Sequence, residues 1–153
     1  MKANNKLLLE QIDKKLEKFS QLEKTIVPSK GWIHTIRTSI NMSMRQMGAK
    51  LGITAQSVQE IEEREANGSI TLKSIKEVAR ALDMKLVYGF IPKEHSIEKM
   101  IEKRALEVAR EIVLRTSNTM KLEDQENSKT RIEKAIKEKA TEIKNELPKY
   151  LWD

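Results

Sequence analysis

The sequence predicts an all-α protein with at most one short strand. Three observations carry this. Charged residues make up 34% of the 153 residues, with only five Gly and three Pro among them, a mixture that favours helix over sheet. Apolar residues recur at three- and four-residue steps along most of the chain, the mark of amphipathic helices. Aromatics are only 4%, so the core has to be built from Leu, Ile, Val, Met and Ala.

The first helix reads over residues 4–26. Leu9, Ile12, Leu16, Phe19 and Ile26 form one stripe, Leu8 and Leu22 widen it, and Pro28 ends the pattern. Such a helix can cover a core or, because the spacing is close to a heptad, serve as a dimerisation helix. Residues 31–41 carry Trp32, Ile33, Ile36 and Ile40 on a second helical face. Ser43 caps a helix over 43–51 with Met47 and Leu51 apolar, and Gly52 breaks it. Thr54 caps the next, which runs to about Arg64 with Val58 and Ile61 inward. Ala66-Asn67-Gly68-Ser69 is a turn, and residues 71–82 turn Leu72, Ile75, Val78, Ala79 and Leu82 inward.

Strand chemistry is confined to Lys85-Leu-Val-Tyr-Gly-Phe-Ile91, closed by Pro92. A lone strand is not stable. It needs a partner, such as its own copy across a dimer axis, or it packs on the core as an extended segment. Two helices follow, over 96–119 (Ile97, Ile101, Ala105, Val108, Ile112) and 128–147 (Ile132, Ile136, Ala140, Ile143, Leu147). The polar linker from Lys121 to Ser128 offers Asp124 or Ser128 as a cap, and Pro148 stops the last helix. The chain thus divides into an N-terminal helix (1–30), a central helical domain (31–92) and a C-terminal two-helix region (93–153).

Several function classes fall away. With no Cys, disulfides and thiolate metal sites are impossible, and His34 and His95 lie too far apart in sequence to suggest zinc. There is no phosphate-binding glycine loop and no nucleophile with a credible base. Neither an enzyme nor a cofactor is expected. The apolar run from Leu7 to Leu9 is too short for a signal peptide and no stretch reaches membrane-spanning length; the expected location is the cytoplasm. The net charge of +6 suits a polyanionic partner. It is spread over the chain: residues 1–30 hold seven basic and four acidic groups, 31–92 eight and six, 93–153 fourteen and thirteen. Binding to DNA must therefore rest on placement, not on bulk charge.

The informative stretch is SMRQMGAKLGITAQSVQEIE, residues 43–62. Two helices crossing steeply need a small residue at the crossing, which Gly48 supplies. The tight turn needs positive φ, which Gly52 supplies four residues on. Ile53, Val58 and Ile61 then bury the second helix on the first.

With its flanks, over about residues 31–92, this segment resembles the Cro/repressor (Xre-type) helix-turn-helix family, whose fold is lambda-repressor-like. The resemblance includes GWIHTIRTSI before it and TLKSIKEVARALDMKL after it. It implies that the second motif helix lies in the major groove with its N-terminal half at the bases. Ala55, Gln56, Ser57, Gln59 and Glu60 then face outward. Gln56, Ser57, Gln59 and Glu60 become the base readers, since Gln bonds adenine twice and Glu accepts from cytosine. Arg45, Lys50, Thr54, Arg64 and Lys73 become the backbone contacts. Two features depart from the family: Met44 stands where Gln is common, and Glu60, Glu62, Glu63 and Glu65 bring carboxylates to a helix meant to approach phosphates.

The whole chain is also similar to the mobile mystery protein A family, through GWIHTIRTSINMSMRQMGAKLGI, LVYGFIP, SNTMKLEDQ and the terminal LWD. Members are encoded beside a Fic-domain protein, a class that commonly moves AMP onto hydroxyl side chains. That resemblance implies a regulator or antitoxin in a toxin–antitoxin-like module; as a DNA-binding repressor the chain is expected to be a homodimer. Fic inhibitors resemble a helix bearing Ser/Thr, three residues, then Glu and Gly or Asn. Thr119 and Glu123 have that spacing but Asp124 follows; Glu126 and Asn127 have the right ending but Leu122 replaces the hydroxyl. The plainer reading of both is a helix end followed by a capped loop.

Overall fold

The computed structural model describes residues 3–118 and 125–153, with side chains for 3–117 and 129–153. Seven α-helices are seen, and no strand among the described residues: α1 (Ala3–Ser20), α2 (Trp32–Ser39), α3 (Met44–Leu51), α4 (Ala55–Asn67), α5 (Leu72–Ala81), α6 (Ile97–Asn118) and α7 (Gln125–Glu146), with a closing 3-10 turn at Lys149–Trp152. None of these helices is long and apolar enough to cross a membrane. The chain forms two compact units, one from residues 24–88 and the other from the N-terminal segment up to Glu23 together with 89–153.

The unit of residues 24–88 holds α2 to α5 around Ile33, Met47, Val58 and Val78, all buried. Met42, Met44, Leu51, Ile53, Ile61, Ile70 and Leu82 pack around them. Local chemistry sets the helix starts. The Ser43 hydroxyl accepts from the Gln46 N–H at 3.1 Å while the Gln46 side chain accepts from the Ser43 N–H at 2.8 Å, a reciprocal capping box. Thr54 and Thr71 cap α4 and α5 through the Ser57 and Ser74 N–H groups, each at 3.1 Å. α4 runs three residues beyond the expected Arg64, to Asn67, and Gly68 ends it in the left-handed conformation (φ 81). Leu72, expected inward, is 47% exposed; as the first residue of α5 it precedes the turn that carries Val78 into the core.

The other unit packs α6 on α7 around Ile101, Ala105, Val108, Ala109, Ile136, Ile143 and Leu151. Leu9 of α1 joins that cluster. Asp13 of α1 caps α6 from a distance in sequence: its two carboxylate oxygens accept from the N–H groups of Ile97 (2.7 Å) and Glu98 (3.2 Å), groups that a helix start leaves without partners. At the other end, Arg104 donates to the carbonyls of Leu151 and Asp153, both at 2.7 Å, and so pins the 3-10 turn to α6.

Three further expectations need correction. α1 ends at Ser20, not near residue 26, and Ile26 is 88% exposed. The β-branched run Thr25-Ile26-Val27 before Pro28 disfavours helix at that end of the expected span; the stop at Ser20 itself lies well before it. Trp32 and Ile40, placed on the apolar face of the second helix, are 43% and 54% exposed; they sit at the helix ends, where the stripe runs off the core. Finally, Lys85–Ile91 does not pack as an extended part of the core: Val87, Tyr88 and Phe90 are exposed, and no strand lies beside the segment among the described residues. The proposed caps Asp124 and Ser128 lie outside the described side chains.

Candidate nucleic-acid interface

The crossing of α3 and α4 is set by two glycines. Gly48 is buried, and a Cβ there would lie 2.6 Å from the Ile53 carbonyl oxygen; only the absence of a side chain lets the chain fold back this closely. Gly52 takes φ 69, and the Ile53 N–H closes the turn on the Gly48 carbonyl at 2.9 Å. The chain then enters α4 at Thr54.

The outward edge of α4 is polar. Gln56, Gln59 and Glu60 are exposed and Ser57 is half-buried. Ser57 Oγ lies 2.9 Å from Thr54 Oγ1. The Gln59 amide donates to Glu63 at 3.1 Å, and Glu60 lies 4.0 Å from Arg64. Thr54 and Arg64 are exposed at the two ends of the helix, Arg45 and Lys50 on α3, and Lys73 near the start of α5. The structure thus joins the expected residues in pairs (Thr54 with Ser57, Glu60 with Arg64) and leaves Gln56, Arg45, Lys50 and Lys73 facing solvent. Of the suggested inhibitory residues, Thr119 and Glu123 lie outside the described residues, as do the side chains of Glu126 and Asn127.

The inner face of α4 changes the charge argument. Glu62, grouped in the sequence with the outward carboxylates, is only 5% exposed, and Arg37 of α2 only 7%. Arg37 Nε and Nη2 donate to the two Glu62 oxygens at 2.5 and 3.2 Å, His34 Nδ1 stands 3.0 Å from Glu62 Oε2, and Arg37 Nη1 donates to the Met42 carbonyl at 2.9 Å. Burial opposes ionisation of Glu62, but the hydrogen bonds and charges of Arg37 and His34 outweigh it and hold the carboxyl below its ordinary range. Glu65 turns inward as well: its Oε1 accepts from the Ile33 N–H at 2.7 Å. It caps α2, whose N-cap Gly31 has no side chain to do so. Gly31 suits this place twice over, with φ 85 and with the Glu65 carboxylate filling the space a Cβ would take.

Two of the four α4 carboxylates are therefore bound internally, and the outward ones, Glu60 and Glu63, are each engaged by a neighbour on the same helix. Sequence reasoning missed the Arg37–Glu62 pair. Its signal was a charge on each apolar stripe: Arg37 one turn after Ile33, and Glu62 one turn after Val58.

This all-helical arrangement, a glycine-set crossing followed by a capped helix with a free polar edge, defines a helix-turn-helix domain of lambda-repressor-like fold. Residues 33–88 match the family model described as Helix-turn-helix, HTH_3; that family is DNA-binding, of the Xre type, and typically not enzymatic. No curated protein and no solved structure matches the chain.

Proposed function

We propose that the protein is a sequence-specific transcriptional regulator that binds a two-fold operator as a homodimer. The observation that carries the proposal is the free edge of α4, where Gln56 and Gln59 stand exposed while Glu62 and Glu65 are turned away. Gln56, Ser57, Gln59 and Glu60 read base edges in the major groove. Arg45, Lys50, Thr54, Arg64 and Lys73 hold the phosphates and fix the register. Following the resemblance to mobile mystery protein A, the regulator acts as autorepressor and antitoxin beside a Fic-domain partner that transfers AMP.

The test is titration of the full chain against the DNA upstream of its own reading frame over a range of salt. Binding with log affinity falling linearly against log salt is expected, the sign of counterion release. Complete absence of binding at low salt would overturn the reading. Co-expression with the neighbouring Fic-domain protein tests the antitoxin role: the two co-purify and AMP transfer falls. Co-purification without any DNA binding supports the alternative, a helix-turn-helix fold used only to bind and inhibit that partner.

A further inference from the structure

Residues 85–91 form a seven-residue stretch whose backbone makes no use of its hydrogen-bonding groups within the described residues. The Met84 N–H still bonds the Ala79 carbonyl at 2.7 Å, and the next backbone bond beyond is from the His95 N–H to the Pro92 carbonyl. Among the described residues no hydrogen bond reaches the backbone between them. The seven residues Lys-Leu-Val-Tyr-Gly-Phe-Ile have strand composition. Val87, Tyr88 and Phe90 are 66%, 57% and 79% exposed. A row of unpaired N–H and C=O groups flanked by exposed β-branched and aromatic side chains is a template for strand pairing.

We infer that this segment pairs antiparallel with the same segment of a second copy, centred on Tyr88. It deepens the proposed operator binding, on which it rests for its role, by naming the surface that joins the two copies. The free stretch is bounded by Met84, whose N–H is taken, and by Pro92, which has none. Its midpoint is Tyr88. Antiparallel pairing about that point sets Tyr88 against its own mate, Val87 against Gly89, Leu86 against Phe90 and Lys85 against Ile91. The one charge of the segment then faces an apolar residue. Parallel pairing in register would set Lys85 against Lys85, which is unfavourable. Two packing features prepare the segment. Lys76 Nζ lies 5.8 Å from the Tyr88 ring centroid, a cation–π contact that steadies the central residue. The Phe19 ring covers Gly89 so closely that a Cβ there would lie 2.6 Å from it, which gives this glycine the packing it lacks in a strand. A two-stranded ribbon is marginal by itself, so the pairing is concentration-dependent and tightens when an operator holds both copies.

The absence of cysteine allows a clean test. Opposed residues of an antiparallel pair lie about 4.5–5.5 Å apart, within disulfide reach, so under mild oxidation Tyr88→Cys doubles the chain's mass. Val87→Cys, whose mate is displaced diagonally by about 7–8 Å, crosslinks much more slowly, and Lys85→Cys, still further from its mate, hardly at all. Equilibrium sedimentation of the unmodified chain independently shows a dimer at high micromolar concentration. A Tyr88→Cys chain that stays single, crosslinking at Lys85→Cys as fast as at Tyr88→Cys, or a monomeric unmodified chain overturns the inference. Crosslinking at 88 without operator binding leaves the pairing standing and refutes the DNA reading. Operator binding by a chain that does not crosslink there does the reverse.

Discussion

Replacing Glu62 by Gln tests the buried contact between α2 and α4. The change keeps the shape and one acceptor oxygen but removes the charge, and Arg37, 7% exposed, is left buried beside a neutral amide. Removing one partner of a buried pair costs about 3–5 kcal/mol. Arg37 keeps its bond to the Met42 carbonyl at 2.9 Å, so the lower end, about 3 kcal/mol, is expected. That is a large share of the ~5–15 kcal/mol of a whole domain. The double change Arg37→Met with Glu62→Leu removes both charges and is expected within about 1 kcal/mol of the parent, or above it. Urea unfolding reports this through Trp32, which adjoins Ile33 at the start of α2, in a Trp152→Phe background that silences the other tryptophan. A Glu62→Gln cost below about 1 kcal/mol, or a double variant as weak as the two single ones summed, refutes the reasoning. The pH dependence has a definite sign. The Glu62 pKa is lower in the folded chain than its ordinary 4.5. Its contribution is therefore complete above that value and is lost as pH falls from there through the lowered one. Glu62→Gln removes this part of the acid sensitivity, at most about 1.4 kcal/mol per pH unit.

Three further outcomes are expected. Gln56→Ala loses about 1–3 kcal/mol of discrimination at one base position, whereas Arg45→Ala weakens binding to all sequences alike and lowers the salt slope by about 1; competition assays with single-base operator variants separate the two. Gly48→Ala pushes a methyl to 2.6 Å from the Ile53 carbonyl and costs about 1–3 kcal/mol by overpacking, read by thermal unfolding; a neutral result means the α3–α4 crossing is looser than described. Asp13→Ala removes both cap bonds at the start of α6 and costs about 1 kcal/mol, visible as faster amide exchange in the first turn of α6 and unchanged exchange in α4.

Three helices of the 24–88 unit, α3 to α5, were legible because their caps are local. Ser43, Thr54 and Thr71 each sit directly before an apolar period, and Gly52 and Gly68 directly after one. Gln46, three residues after Ser43, completed a capping-box spacing that could have been read as well. What sequence order hides is any bond made across a long separation. Nothing near Gly31 announces that Glu65 caps its helix, and nothing near Ile97 points to Asp13. The face of a charged residue is hidden for the same reason: Glu62 and Glu63 are neighbours in sequence, but one is buried in an ion pair and the other holds a glutamine at the surface. The segment 85–91 has strand composition, but strand propensity describes what a residue does beside another strand, and the described residues of its own chain provide none.

The unit containing α1, α6 and α7 is discontinuous in sequence: 24–88 is interposed between its two pieces. During synthesis, the helix-turn-helix residues are therefore all present before any partner of α1 exists. At about 5–20 residues per second, several seconds separate the emergence of Tyr88 from that of the last core residue, Leu151. Through that interval Leu9 has no cluster to join and the Asp13 carboxylate no helix start to cap. The lysines at 6, 14, 15 and 18 keep the waiting helix strongly hydrated. The nascent chain can thus fold its helix-turn-helix first and complete the discontinuous unit second.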